Sequence, residues 1–401
     1  MIVESLATDE PAGAELLSDA EIGLEQGATS PLDFTAASIW SPLVISFPHV
    51  GLEWPDDEPR PRPAVDFARN ADLAVDQLYP DAAVLGAATV RARFSRLLID
   101  LNRAPDDVSA ALVPDHPAPR PRQPPWANTA GRSPPVHNRG LIWRTAVGNV
   151  PIFSGPLPYA ELRLRLRRYY DPYHRAIELL LERRRARFGY AVLLEAHSMP
   201  SSVPGDLVLG TFEGGACSPE LEALALAALA SAGPLGVSLA IRLNDPYRGG
   251  ELVRKFGRPE HGIHALQLEV NRALYMDEAS LRLRPEVSRA SGLRGEIRPS
   301  SPPSSISSFS SLSSGEPESA VQRPQIASGT SGARPAPAVL PLALLYRVRS
   351  LVATLATVTP RLAATAPAPG VPCPPANPAL VASSRGTAHF GEPLCRRRPR
   401  G

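Results

Sequence analysis

The sequence predicts an α/β domain with a central mixed, mostly parallel sheet flanked by helices, followed by a low-complexity C-terminal tail. Three observations carry this expectation. Apolar runs of strand length recur along the chain: "LVISF" (43–47), "RLLIDLN" (96–102), "YAVLLEAH" (190–197) and "HALQLEV" (264–270). Segments with helical patterning lie between them. Toward the C-terminus the composition shifts to serine and proline, as in "PSSPPSSISSFSSLSS" (299–314), which has little capacity to bury a core. Strands alternating with helices form mainly parallel sheets, and in such sheets functional groups collect beyond the carboxyl ends of the strands.

Residues 1–36 are polar and weakly patterned, and read as a loose leader. The α/β domain is expected over 37–283. Within it "FARNADLAVDQLY" (67–79) has helical spacing, and residues 160–189 form a long helical pattern that Pro172 must kink or divide. In 218–233, Ser218 is placed to cap, Pro219 occupies the first helical position and Gly233 marks the stop. Residues 284–401 read as a largely disordered tail, with one helix expected at 342–358 docking back on the domain.

Bulk properties narrow the class. Hydrophobic residues at 43% and charged residues at 20% suit a soluble protein with a sizeable core. A net charge of +2 gives no global attraction to nucleic acid or membrane. The arginine runs "RLRLRRYY" (163–170) and "ERRRARF" (182–188) sit in helical patterns and are expected to form a solvated face; no nucleic-acid-binding motif accompanies them. The three cysteines, Cys217, Cys373 and Cys395, form no CxxC pair, which fits a reducing compartment and suggests a cytoplasmic protein. No signal peptide is evident at the acidic N-terminus. The apolar stretch 336–358 contains Pro341, Arg347 and Arg349, so no membrane partner is expected from it.

Polar groups gather at the ends of the apolar runs. "ISFPHVGLEWP" sets His49 and Glu53 just after one run, and "EAHSM" sets His197 at the end of another. In "DLNR", Asp100 and Asn102 share a face and Arg103 lies at the exit. In "HALQLEVNR", period-two alternation puts Gln267, Glu269 and Asn271 on one face and Leu266, Leu268 and Val270 on the other. Taken singly, each has a plain alternative: a histidine in a surface loop, an ion-pair partner for Arg272, a turn with an aspartate cap. Together they fit a hydrolytic zinc site. Such a site takes about three histidine and carboxylate ligands and leaves a position for water. His49, Glu53 and His197 are the candidate ligands, Glu269 the candidate base, and Arg103 the candidate clamp for a substrate carboxylate.

The blocks "SFPHVGLEWP", "RFSRLLIDLNRAP", "YYDPYHRAI", "RFGYAVLLEAHSMPS", "NDPYRGGELVRKFGRP" and "HALQLEVNRALYMDE" stand in an order and spacing that resembles the N-formylglutamate amidohydrolase family, from about Leu43 to Glu278. That family is similar in fold and site logic to the zinc carboxypeptidase and aspartoacylase group. The resemblance implies a zinc-exopeptidase-like fold and one Zn2+ per chain. It implies hydrolysis of N-formyl-L-glutamate to formate and L-glutamate, the last step of one histidine-degradation route. It supports an acidic ligand near Glu53, Glu269 as general base, and Asn102 with Arg103 as the carboxylate-binding pair. Arg248 is a further candidate for substrate contact, with His174, Arg242 and His264 behind it.

The chain departs from the family pattern in three respects, one being that the serine- and proline-rich tail beyond Glu278 does not resemble the family at all. "LGTFEGGAC" (209–217) carries Thr211 where an aspartate is usual, and Ala74 stands where some members have histidine. Thr211 leaves open a lost supporting partner, a changed specificity or reduced activity. The alternatives to the named activity are therefore hydrolysis of another N-acyl amino acid or small peptide, and a binding protein that has kept the fold without turnover. For the third ligand, another carboxylate or a water is the alternative to Glu53.

Overall fold

The computed structural model describes residues 15–121, 139–231, 233–290 and 339–357. Most of the serine- and proline-rich tail expected over 284–401, and residues 1–14 of the expected leader, lie outside these.

Seven strands form one sheet in the order β1-β3-β2-β4-β7-β5-β6. They are β1 (Leu32–Thr35), β2 (Leu43–Phe47), β3 (Ala88–Ala92), β4 (Ala191–Met199), β5 (Leu207–Gly210), β6 (Ile241–Leu243) and β7 (Ile263–Asn271). Pairing is parallel for β2–β3, β2–β4, β4–β7 and β5–β6, and antiparallel for β1–β3 and β5–β7. The mixed, mostly parallel sheet expected from the alternation is present. β2 and β4 are buried along their whole length, as strands covered on both faces must be.

Alternation along the central strands divides the core. Leu43, Ile45, Val192, Leu194, Leu266 and Leu268 enter one cluster, covered by α4 (Pro219–Ala230) and α7 (Val339–Thr357). Val44, Ala191, Leu193 and Ala265 enter the other, covered by α2 (Tyr159–Arg165) and α3 (Asp171–Phe188). The second face changes character along the strands. Ala191 and Leu193 are followed on the same side of β4 by Glu195 and His197, and Ala265 is followed on β7 by Gln267 and Glu269. This carboxyl-end polarity is where the site forms.

Several expected elements differ. Residues 96–102 form turns, because Leu98 N donates to Ser95 O, Arg103 N to Asp100 O, and Asn102 N to the Asp100 side chain. β3 takes the sheet position instead. The helix expected at 67–79 is two short pieces, α1 (Phe67–Asn70) and a 3-10 turn (Val75–Leu78). The Asn70 side chain donates to Asp66 O and accepts from Val147 N, and Asp72 N donates to His49 O, so the backbone leaves the helix at Ala71. The long helical pattern is divided just ahead of Pro172: α2 ends at Arg165 and α3 begins at Asp171, with Pro172 in its first turn. A π turn over Leu166–Tyr170 precedes it, and the helix continues to Phe188.

Residues 15–36 are not a loose leader. β1 pairs with β3, and buried Glu15 takes a bidentate contact from Arg184 at 2.7 and 2.8 Å. Arg184 also donates to Leu43 O, joining the N-terminal segment, α3 and β2. Arg165 is likewise buried, against Glu58. The arginine runs thus include buried anchors as well as solvated positions; a buried guanidinium persists only where carboxylates and carbonyls satisfy it.

α7 is long and apolar enough, by length and composition, to cross a membrane, yet half of it is buried inside the protein. Leu344, Val348, Leu351 and Leu355 pack into the cluster that contains Leu221 and Leu229 of α4. Buried Arg347 donates to Leu229 O and Val237 O. This is the packing of a core helix. Leu351→Ala is expected to destabilise the protein by about 2–5 kcal/mol in denaturant unfolding, as for other fully buried leucines.

Candidate metal centre and active-site cleft

His49 leaves the end of β2, His197 lies near the end of β4, and Asp72 sits in the break between α1 and the 3-10 turn. One ligand atom from each lies within 4.8 Å of the others, and all three residues are buried. His197 Nδ1 is 2.9 Å and His49 Nδ1 3.4 Å from Asp72 Oδ2. The imidazole centroids are 4.9 Å apart.

The outer nitrogens of both rings are held. His49 Nε2 donates to Asp100 Oδ1 at 2.7 Å, which orients the ring with Nδ1 toward Asp72. That Nδ1 is buried and has no hydrogen-bond partner. His197 Nε2 lies 3.2 Å from Asn102 Nδ2 and 3.6 Å from Glu195 Oε2. Two imidazole nitrogens and one carboxylate oxygen, facing inward with their outer sides fixed, form a donor set that fits zinc. The orphaned His49 Nδ1 is the specific sign, because a buried polar atom without a partner is costly unless something binds it.

Charge reinforces the arrangement. Burial opposes ionisation of Asp72, but the hydrogen bond from His197 and the nearness of both imidazoles prevail and hold its carboxyl well below the usual range. Burial likewise opposes a charged His197, yet the bonds to Asp72 and Glu195 prevail and raise the imidazole to about 10. A metal held at this histidine would have to displace a proton.

Glu269 lies beside His197 through the β4–β7 register. Burial raises its carboxyl to about 7, Asp72 adding to the shift while His197 opposes it. Gln267 Nε2 donates to Glu269 Oε1 at 2.9 Å and its Oε1 accepts from Gly250 N, so the glutamate is aimed by its strand neighbour. Gly250 is required by space: a Cβ there would stand 2.3 Å from Asn102 Nδ2. These groups open onto a cleft of about 410 Å³, whose walls also carry Arg69, Arg96, Arg103, Arg139, Arg248 and Arg272.

The family-model comparison matches residues 41–276 to N-formylglutamate amidohydrolase. The chain belongs to the N-formylglutamate amidohydrolase family. It is thereby a hydrolase of linear amide C–N bonds. Among curated relatives, the N-formylglutamate deformylase of Pseudomonas aeruginosa is 37% identical over 254 residues, covering 59% of this chain and 83% of the relative. That of Pseudomonas putida is 35% identical over 253 residues, covering 59% and 82%. Among solved structures, an N-formylglutamate amidohydrolase from Ralstonia eutropha aligns with a TM-score of 0.56 and 30% identity, over 66% of this chain and 94% of that one.

Of the residues singled out in the sequence, the structure brings His49, His197, Glu269, Asn102 and Arg103 to this cleft or its floor. It does not bring Glu53. That carboxylate is half-exposed and ion-paired with Arg93 at 2.8 Å, because Glu53 bridges to Phe94 and turns away from the histidines. Asp72 stands where a third ligand was sought. Asn102 is buried, donates to Glu195 Oε2 and accepts from Leu252 N, so its amide serves the wall of the site. Arg248 is at the rim, paired with Glu213 and stacked on Phe212. His174, Arg242 and His264 line none of the cleft: His174 lies between Leu101 O and Lys255 Nζ, Arg242 pairs with Asp245, and His264 Nδ1 accepts from Ser218 N.

Thr211 and Ala74 also lie away from the cleft. Thr211 Oγ1 donates to Glu222 at 2.6 Å and accepts from Asn244 Nδ2 and Gly214 N. An aspartate there would oppose the Glu222 carboxylate, whereas the hydroxyl donates to it. Ala74 packs in the core at φ 59. Glu53→Gln is expected to change stability by no more than about 1 kcal/mol and to leave turnover unchanged. Asp72→Asn is expected to lower turnover by at least about ten- to hundredfold. Steady-state formate release compares the two variants directly.

Proposed function

We propose that the protein hydrolyses N-formyl-L-glutamate to formate and L-glutamate at a zinc ion held by His49, Asp72 and His197. The observation that carries this reading is the inward-facing pair of histidine Nδ1 atoms and the Asp72 carboxylate, set beside a buried glutamate in a cleft lined with arginines. Family membership and relatives named for N-formylglutamate support the substrate. When bound, the ion supplies Lewis-acid polarisation of a carbonyl oxygen and eases ionisation of water near neutral pH.

The chain's own residues do the rest. Asp72 offers negative charge between the histidines, and Asp100 and Glu195 hold the outer nitrogens so that the inner ones face the site. Glu269 takes a proton from water on Oε2, the oxygen that Gln267 leaves open, as the water oxygen bonds to the formyl carbon. Glu269 then delivers that proton to the departing nitrogen as the C–N bond breaks, giving formate and the amino group of glutamate. A carboxyl near 7 suits both directions of transfer. Arg103 faces the cleft without an ion pair to any described residue and is placed to hold a carboxylate of the substrate.

Glu269→Gln preserves shape and the bond to Gln267 while removing the base. Its kcat for formate release is expected to fall by about 10²–10⁴ with little change in KM. A chelator is expected to abolish formate release from the wild type, with activity returning on addition of zinc. Undiminished activity in either case would overturn the mechanism.

A further inference from the structure

We propose that Arg139, stacked on Trp143 at the mouth of the cleft, receives the side-chain carboxylate of a dicarboxylic N-acyl amino acid and so sets the preference for acidic over neutral substrates. The proposal rests on the hydrolytic reading above and deepens it. It begins from a census of the cleft's positive charges.

Four of the six arginines are committed. Arg69 pairs with Asp66, Arg96 with Asp100, Arg248 with Glu213, and Arg272 with Asp72 and Glu278. Arg103 and Arg139 form no ion pair with a described residue. Their charges are felt mutually: burial, then Arg96, then Arg103, lower the Arg139 guanidinium from its ordinary value. Two open guanidinium groups in one cleft call for two anionic groups. A monocarboxylate satisfies one and leaves the other repelled by its neighbours. A ligand with an α-carboxylate and a second carboxylate on its side chain satisfies both.

Arg139 is also held in place. Its guanidinium lies 4.9 Å from the Trp143 ring centroid, and Arg96 lies 4.5 Å from the same ring. Trp143 is buried and its indole N–H donates to Asp100 at 3.0 Å, so the platform cannot swing. The backbone beside Arg139 is equally fixed. A Cβ on Gly140 would stand 2.2 Å from Asp107 O, and Leu141 donates to Asp107 O and accepts from Asp100 N. Arg139 itself is exposed, open to an anion arriving from solvent. A rigid, solvent-facing, unpaired guanidinium at the mouth selects among substrates and leaves bond breaking to the groups below.

The test compares N-formylglutamate with its uncharged isostere N-formylglutamine, using the wild type, Arg139→Gln and Arg139→Lys. The wild type is expected to favour N-formylglutamate in kcat/KM by about ten- to hundredfold, since a site built for a charged group rejects its neutral analogue. Arg139→Gln should raise KM for N-formylglutamate by a similar factor, keep kcat within about threefold, and leave N-formylglutamine untouched. Arg139→Lys should recover part of the preference. Equal losses on both substrates, or no preference in the wild type, would overturn the assignment. Calorimetric binding of L-glutamate against L-glutamine gives a second readout that needs no turnover: Arg139→Gln should weaken glutamate alone, and equal affinity of the two variants for glutamate overturns the proposal. Absence of formate release from every form, with selective glutamate binding intact, would count against the hydrolytic reading and not against Arg139.

Discussion

The Asp100 carboxylate is the interaction on which the site depends. It is fully buried and accepts from Arg96 Nε and Nη2, Trp143 Nε1, His49 Nε2 and the Asn102 backbone N–H. Burial opposes its charge, but Arg96 and His49 outweigh that and keep it ionised far below the usual carboxylate range. A charge that deep persists only when its acceptor capacity is filled, and here five donors fill it. Each donor is thereby fixed: the ring orientation of His49, the indole under two arginines, and the turn that delivers Asn102 and Arg103.

The sheet sets the complementary constraint. In-register parallel pairing of β4 and β7 puts His197 beside Glu269 and Glu195 beside Gln267 without any loop rearrangement. The turn after β2 and the loops supply the other two inward side chains, His49 and Asp72, several of the arginines and the Asp100 hub. A site anchored on two central strands has limited freedom to drift, which suits chemistry that requires sub-ångström placement.

How much was readable in advance follows from the same division. β2, β4 and β7 announced themselves as apolar runs, and the alternation in "HALQLEVNR" correctly separated Glu269 from the leucines because both faces of that strand are spoken for. His49 and His197 followed from the rule that such sheets are functional at their carboxyl ends. Asp72 did not. It sits in a segment with helical spacing, and only the side-chain bonds of Asn70 and the backbone bond to His49 O break the helix there. Periodicity cannot register a tertiary override of that kind; an acid set between Ala71 and Leu73 in an otherwise buried run was the one available hint. Glu53 was favoured by its nearness to His49 in sequence, and a turn of the backbone sent it to Arg93 instead. The role of Asp100 was hidden for the same reason, since its donors come from three separate stretches, at 49, 96–102 and 143.

The Arg184–Glu15 contact bears on where this domain begins. The family match covers residues 41–276, yet a buried guanidinium within that span takes its carboxylate from position 15, and α7 covers α4 from beyond residue 338. Trimming the chain to the shared span would strand a cation in the interior and bare an apolar helix face. The region that evolution lets one recognise and the region that can stand alone in water are here two different lengths of polypeptide.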